Sequence, residues 1–530
     1  MFKKLFLLSI LLIFVFSCKK DNEIISIDDS LIKSEDSNTV IRPIPSEKLE
    51  SLSDSLQLYY SKLNNLEIWY DQENRNDLIN EIKLCYNEGL NPNDYNLDKI
   101  QKLEAIRENL KDDEIINYDI LLTRSFQKLA SDLYKGKLDP KVLYEDWDIS
   151  KEEVALSPLL EKNIKSHTIA STFKSLKPQH FIYNQIKKSL YLLEQYPEYR
   201  FKKINLNDKI EVNDTLEEII SIKKRLAYWK DYRIKDSIIT PVYDSLTFEA
   251  VKRFQLRHGL KPDGVIGKGT IKAFNYSKNE RREQIIANLE RWRWFPKNLG
   301  EEYLLVNLPN YNLVYVVNND TVSTNRVVIG TPKRKTPVLS SHMSNFVFNP
   351  TWTVPPTIIK EDLTPAAKKD IGYFERTKIS IFDKEGNQIE PTDWKPEKSK
   401  SYRYVQAASY DNSLGLVKLN FPNRHAVYLH DTNHRDYFVK EYRALSSGCV
   451  RIENPLQLTE KILLKEDEKW TTAEIDSLIV RKKTKVVSLK NSKINVYLFY
   501  WTSWLDKNNK LQFREDVYNL DKDLFQQLRN

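Results

Sequence analysis

Cysteine is nearly missing from this chain: Cys18, Cys85 and Cys449 are the only three in 530 residues. That is too few for a disulfide framework, so each needs its own explanation. Glycine is sparse as well, at 12, while 10 Trp, 29 Tyr and 21 Phe supply ample apolar bulk, and wholesale disorder is excluded. A strong excess of one charge is also lacking, since 82 basic residues stand against 74 acidic ones for a net +8. With no block of Lys and Arg interleaved with aromatics, nucleic acid is not an expected partner, and the small surplus suits an anionic setting such as a cell envelope. Established metal-ligand spacing is absent too, because His425, His430 and His434 have no partners at the right intervals, so no metal and no cofactor are expected. The length is too great for one core and predicts two to four domains.

The most apolar run is at the start, where Lys3 and Lys4 precede Leu5 to Phe16, followed by Ser17 and Cys18. It is short for a membrane span and reads as an export signal over residues 1–18, with an uncleaved anchor helix as the alternative. The ending at Cys18 resembles a bacterial lipoprotein signal, in which the cysteine becomes the lipidated residue, although bulky Phe16 departs from the usual box. On this reading the chain lies outside the cytoplasm on a membrane anchor, and polar residues 19–45 form a tether.

Residues 46–223 are rich in Leu, Ile, Lys and Glu with helical periodicity and predict an all-helical domain without chemistry of its own. Leu121, Phe126, Leu129 and Leu133 share one helical face, with Gly136 and Pro140 as stops. Cys85 falls on the apolar face of Leu78, Ile79 and Ile82, as a small buried residue. Residues 224–280 read as a compact helical unit: Phe248, Val251 and Phe254 on one face, Gly259 as a left-handed stop, Asp263-Gly264 as a turn, Thr270 as a cap for the helix carrying Ile271 and Phe274. The stretch "RWRWFP" within a connecting segment 281–301 predicts interdomain packing. From residue 302 the period changes to alternation, with Asn318-Asn319-Asp320 as a hairpin turn, so 302–530 is predominantly β. The fold class is therefore multidomain α+β.

Two short motifs carry the chemistry. "HAVYLHDT" delivers His430 at the end of a strand, and "SSGCVRIENP" sets Cys449 on an extended segment before a helix announced by Asn454-Pro455. A thiol needs a base to become a nucleophile, and His430 is the natural candidate, accepting its proton and holding the thiolate as an ion pair. Gly448 lets a substrate approach the backbone, and N–H groups around Gly448 and Cys449 are candidates to bind an oxyanion. Asp431 reads as a structural hydrogen-bond partner, not a third catalytic member.

This arrangement resembles the L,D-transpeptidase family, whose YkuD-type catalytic domain pairs a His with a small-residue-Gly-Cys-apolar-Arg signature, here His430 and Ser446, Ser447, Gly448, Cys449, Val450, Arg451. The family's common form has histidine where this chain has Ser447, and the serine form resembles the large YcbB-like branch. "AVKRFQ…HGL…DGVIGKGT" resembles the small three-helix peptidoglycan-binding module, so the order of helical scaffold, module and β catalytic domain matches that branch. The resemblance implies acyl transfer between peptidoglycan stem peptides through Cys449, with His430 as base and then acid. It also implies a substrate or oxyanion role for Gly448, Ser447, Arg451 and Tyr428, and a functional link to a D,D-carboxypeptidase that supplies tetrapeptide. In that branch a mobile cap covers the site, and residues 383–407 are either that cap or a surface insertion; Trp352 and Tyr428 are either cleft or core. Two further functions stay open: an L,D-carboxypeptidase using the same cysteine, and a non-catalytic lipoprotein that tethers membrane to wall. A Cys85–Cys449 disulfide would silence the enzyme.

Overall fold

The computed structural model describes residues 40–149, 153–206, 208–233 and 239–529, together with the short strand Ile32–Lys33. Cys18, the signal 1–18 and most of the tether 19–45 lie outside the described residues. Among those described, no helix is long and apolar enough to cross a membrane.

The N-terminal core is helical, with the helix Asp112–Lys135 at its centre. Phe126, Leu129 and Leu133 are fully buried, and the helix ends before Gly136 at φ +89°, the stop expected from the sequence. Cys85 follows the helix Gln72–Leu84 and is buried in the same core. That core ends near Leu176. The later helices of the scaffold stretch, Phe181–Glu194 and Glu217–Tyr228, join a second and larger core that continues into the β domain. Within the scaffold stretch the chain also forms a strand, Trp147–Asp148, which joins the second core and pairs in parallel with Val338–His342. The helical stretch therefore contributes an edge strand to the β domain, which its helical periodicity does not announce.

The module consists of Glu217–Tyr228, Ser245–Arg257 and Lys268–Phe274. Gly259 and Gly264 take the expected left-handed conformations, at φ +68° and +75°. The third helix starts before Thr270, so Thr270 is no cap: its buried hydroxyl meets Gln255 Nε2 at 3.2 Å inside the module. The module is bolted to the C-terminal hairpin by Lys272 on Glu515 at 2.6 Å, by Arg514 Nη1 donating to the Arg257 carbonyl at 3.0 Å and by His258 stacked on Phe513 at 5.7 Å.

Helix Lys278–Arg293 runs through the second core and is buried on every side from Gln284 onward. Its charged residues survive burial by pairing: Arg291 with Asp521 at 2.9 Å and Arg293 with Glu290 at 2.7 Å. Trp292 packs on His180 from the scaffold and on Phe499 and Trp501 from the β domain, while Trp294 meets Trp147. The "RWRWFP" stretch is thus the interdomain packing that its composition predicts.

The β domain is built on a twelve-stranded sheet. The functional part is the succession Asn345–Phe348, Val417–Asn420, Leu429–His430, Val450–Ile452 and Asp320–Gly330. One face of these strands (Val417, Leu419, Leu429, Val450, Ile452) packs into the core against Leu458 and Ile462 of the helix Pro455–Glu466. Residues of opposite parity point to the other face. Beside the sheet, residues 352–406 fold as a separate unit with its own four-stranded sheet and its own core of Leu363, Phe374, Ile381 and Tyr404. Residues 383–407 are the second half of this unit, which starts at the strand Trp352–Thr353.

Candidate active site

Strand register assembles the site. Leu429 pairs with Val450 and His430 with Arg451 in a parallel ladder, while Lys418 pairs with His430 in an antiparallel one. Lys418, His430 and Arg451 therefore form one row across three strands, and Tyr428 and Cys449 form the next row on the same face. Cys449 lies diagonally opposite His430 and directly opposite Tyr428, whose carbonyl accepts the Val450 N–H at 3.1 Å. The register thus brings together four of the residues picked from the sequence: Cys449, His430, Tyr428 and Arg451.

The loop carrying Cys449 is held from three sides. Gly448 has φ +117°, a conformation that favours glycine; a side chain would find room there, its nearest neighbour being the Lys335 carbonyl oxygen at 3.6 Å. The Gly448 carbonyl accepts from the Thr336 hydroxyl at 2.8 Å, and the Thr336 N–H donates to the Tyr518 hydroxyl at 3.1 Å. The Ser446 hydroxyl donates to the Cys449 carbonyl at 2.6 Å and accepts the Gly448 N–H at 3.2 Å. Since the Gly448 N–H is engaged, the amide left for an oxyanion is that of Cys449 itself, which makes no hydrogen bond among the described residues. Ser447 is exposed, and its hydroxyl is held by Arg334 Nη1 at 2.9 Å. Arg334 also pairs with Glu361 and Asp362 of the neighbouring unit, so the unit and the Cys449 loop share one guanidinium.

Burial governs the electrostatics. His430 is 5% exposed, and its pKa is pushed down to about 3 by desolvation, with the Arg451 and Lys418 cations adding to the effect. Desolvation raises the Cys449 thiol, opposed by the backbone N–H and hydroxyl of Tyr428 and by Lys418 and Arg451. Burial thus disfavours both the imidazolium and the thiolate, which weighs against the ion pair expected from the sequence, while two cations face the thiol. The Tyr428 hydroxyl lies beside the Cys449 sulfur and the Trp352 side chain, and Trp352 also packs against the core of the neighbouring unit. The ring of Tyr428 lies 5.5 Å from that of His430.

Within the site, three buried polar atoms have no hydrogen-bond partner among the described residues: His430 Nδ1, Arg451 Nε and Arg451 Nη1. Unpaired buried donors of this kind are costly unless something binds them, and they line up along one row of the site. Asp431 points to the opposite face, where it accepts from the Leu416 N–H at 2.8 Å and from Arg435 at 2.7 Å, as suits a structural residue. Asn454 takes a left-handed conformation at φ 51° and its side chain makes no cap bond, so Pro455 alone marks the helix start. Cys85 and Cys449 are both free thiols. Among the described residues no group of His, Cys, Asp or Glu is placed to hold a metal ion.

Sequence reasoning missed Lys418, Arg334, Thr336 and Tyr518. Lys418 left one signal, a lone cation in an alternating strand between Val417 and Leu419; the others act through loops whose meeting only the fold reveals.

Comparison with known families agrees with this geometry. The L,D-transpeptidase catalytic domain (YkuD) matches residues 301–487, which include His430 and Cys449. A "Scaffold domain" matches residues 54–190 and a "Putative peptidoglycan binding domain" residues 215–274, which completes the YcbB-like architecture. A Haemophilus influenzae protein named "Putative L,D-transpeptidase" is 37% identical over 244 residues, covering 46% of this chain and 49% of that protein. The chain thus spans about half the length of that curated relative. Two solved L,D-transpeptidases are matched weakly: that of Xylanimonas cellulosilytica at 14% identity over 56% of this chain and 100% of that one, TM-score 0.18, and that of Stackebrandtia nassauensis at 14% over 55% and 94%, TM-score 0.22. The catalytic-domain match stops at 487, short of Tyr518, which anchors the Cys449 loop through Thr336.

Proposed function

We propose that the chain is a peptidoglycan L,D-transpeptidase that works through a Cys449 acyl-enzyme. The observation that carries this reading is Cys449 on one sheet face with His430, inside the matched catalytic domain. Cys449 Sγ attacks the L,D-amide between diaminopimelate and the terminal D-Ala of a tetrapeptide stem; the thiol proton passes to His430, an S–C bond forms, and the C–N bond breaks. His430 returns the proton to the leaving amine and D-Ala departs. A diaminopimelate amine of a second stem then attacks the thioester, gives a proton to His430, and the C–S bond breaks to leave a cross-link and a restored thiol. The Cys449 N–H stabilises the oxyanion, and the unpaired guanidinium of Arg451 receives a substrate carboxylate.

The same reading places the enzyme in cell-wall remodelling, lipidated at Cys18 and facing the periplasm. The outer membrane is the proposed host because Lys19 follows Cys18, and a D,D-carboxypeptidase is the proposed source of donor. The test is to incubate the chain from residue 19 onward with disaccharide-tetrapeptide and read products by mass spectrometry, beside Cys449→Ala. A dimer lacking one D-Ala, absent with the variant, is the expected result. Tripeptide alone would reassign the enzyme as an L,D-carboxypeptidase, and no Cys449-dependent product would leave a wall-tethering role.

A further inference from the structure

Lys418 is the cation of this site that nothing else accounts for. It sits mid-strand between buried Val417 and Leu419, level with His430, and its ammonium lies 3.9 Å from the centroid of the Tyr428 ring. Among the described residues it makes no ion pair and no side-chain hydrogen bond. A half-buried ammonium is normally matched by a carboxylate, and here the groups facing it are an aromatic ring, an imidazole and, across Tyr428, the thiol of Cys449.

Arg451 faces Cys449 as well, but its open donors are those assigned above to a substrate carboxylate. Arg451 lies with its guanidinium 5.7 Å from the Tyr437 ring and within the field of Asp436. Arg334 reaches the loop only through Ser447, and its charge is answered by Glu361 and Asp362. Burial and the neighbouring cations disfavour a charged imidazole at His430. A thiolate forming at Cys449 is met on the same face by Lys418, whose surroundings hold no carboxylate to answer its charge.

We propose that Lys418 is the standing counter-cation for the Cys449 thiolate, held in place by the ring of Tyr428. It is a positioning residue: it gives up no proton and forms no bond to substrate. The sulfur's proton goes to His430 as the S–C bond forms, and Lys418 stays an ammonium throughout, stabilising charge on sulfur both in the attack and when the thioester is released. This rests on Cys449 being the nucleophile.

The test is the pH dependence of Cys449 alkylation by iodoacetamide, read by mass spectrometry on the peptide, in wild type, Lys418→Met and Lys418→Arg, with acyl transfer measured in parallel. The expected result is a midpoint about one pH unit higher in Lys418→Met, hence roughly tenfold slower alkylation near pH 7, with Lys418→Arg within about threefold of wild type. Coincident profiles for Lys418→Met and wild type would overturn the proposal, as would an equal defect in Lys418→Arg, which would assign the effect to the side chain's shape. Should Lys418→Met fail to fold, the histidine proton resonances of the wild-type chain serve instead. An imidazole of His430 that stays neutral from pH 5 to 9 supports the proposal, and one that titrates near pH 7 to 8 overturns it by restoring the imidazolium as counter-charge. Activity surviving Cys449→Ala would remove the nucleophile reading itself, an outcome separate from these.

Discussion

Cys85 and Cys449 are each largely removed from water, one in the helical N-terminal core and one on the sheet face of the β domain. Around Cys85 the neighbours are Leu78, Ile82 and Tyr95, and burial pushes its thiol up to about 12. Around Cys449 the same desolvation is met by two donors from Tyr428 and by the charges of Lys418 and Arg451. Desolvation alone makes a thiol inert; a dry pocket whose remaining polar groups all favour the anion makes a guarded nucleophile. The two cysteines thus separate burial from chemistry within a single molecule.

The sharpest way to test that contrast is selective labelling. At pH 8, iodoacetamide should modify Cys449 at least about a hundredfold faster than Cys85, which should react only on unfolding. The Cys449 rate should climb with pH, because the thiol's raised pKa leaves the thiolate fraction growing through the alkaline range; equal rates for the two residues would erase the distinction. A smaller effect is expected from Tyr428→Phe, which removes the hydroxyl that meets the sulfur. About a tenfold loss in kcat/KM and an upward shift of the alkylation midpoint should follow, and an unchanged profile would confine the Tyr428 contribution to its backbone N–H. The smallest concerns the second contact of the Cys449 loop: Asp362→Asn weakens an exposed ion pair worth about 1 kcal/mol or less, so Tm should hardly move. If the pair steadies the loop through Arg334 and Ser447, KM for the donor should rise about two- to threefold, an effect that added salt should mimic in wild type.

The chain's larger divisions were legible because period is a local property. The helical face of Phe126, Leu129 and Leu133, the glycine stops of the module and the alternation after residue 302 each follow from a few neighbouring residues. His430 and Cys449 were legible for a different reason, as residue types whose chemistry needs each other. What escaped is whatever depends on pairing across the sheet. The register that sets Lys418 beside His430, the reach of Arg334 to Ser447, and the protonation state of the pair all come from strands and loops distant in sequence. Thr270 and Asn454 show the same limit at helix ends, since both are good capping residues by type and neither caps. A cap is decided by local backbone angles, and those answer to the packing beyond.

The helix Lys278–Arg293, buried from Gln284 onward, and the hairpin that clamps the module tie module and β domain together. Arg257, His258 and Lys272 fasten the module to residues 511–515, next to the β domain that carries Cys449. A rigidly seated module turns any ligand it holds into a ruler: the distance from that hold to Cys449 would be set by the fold and not by a linker.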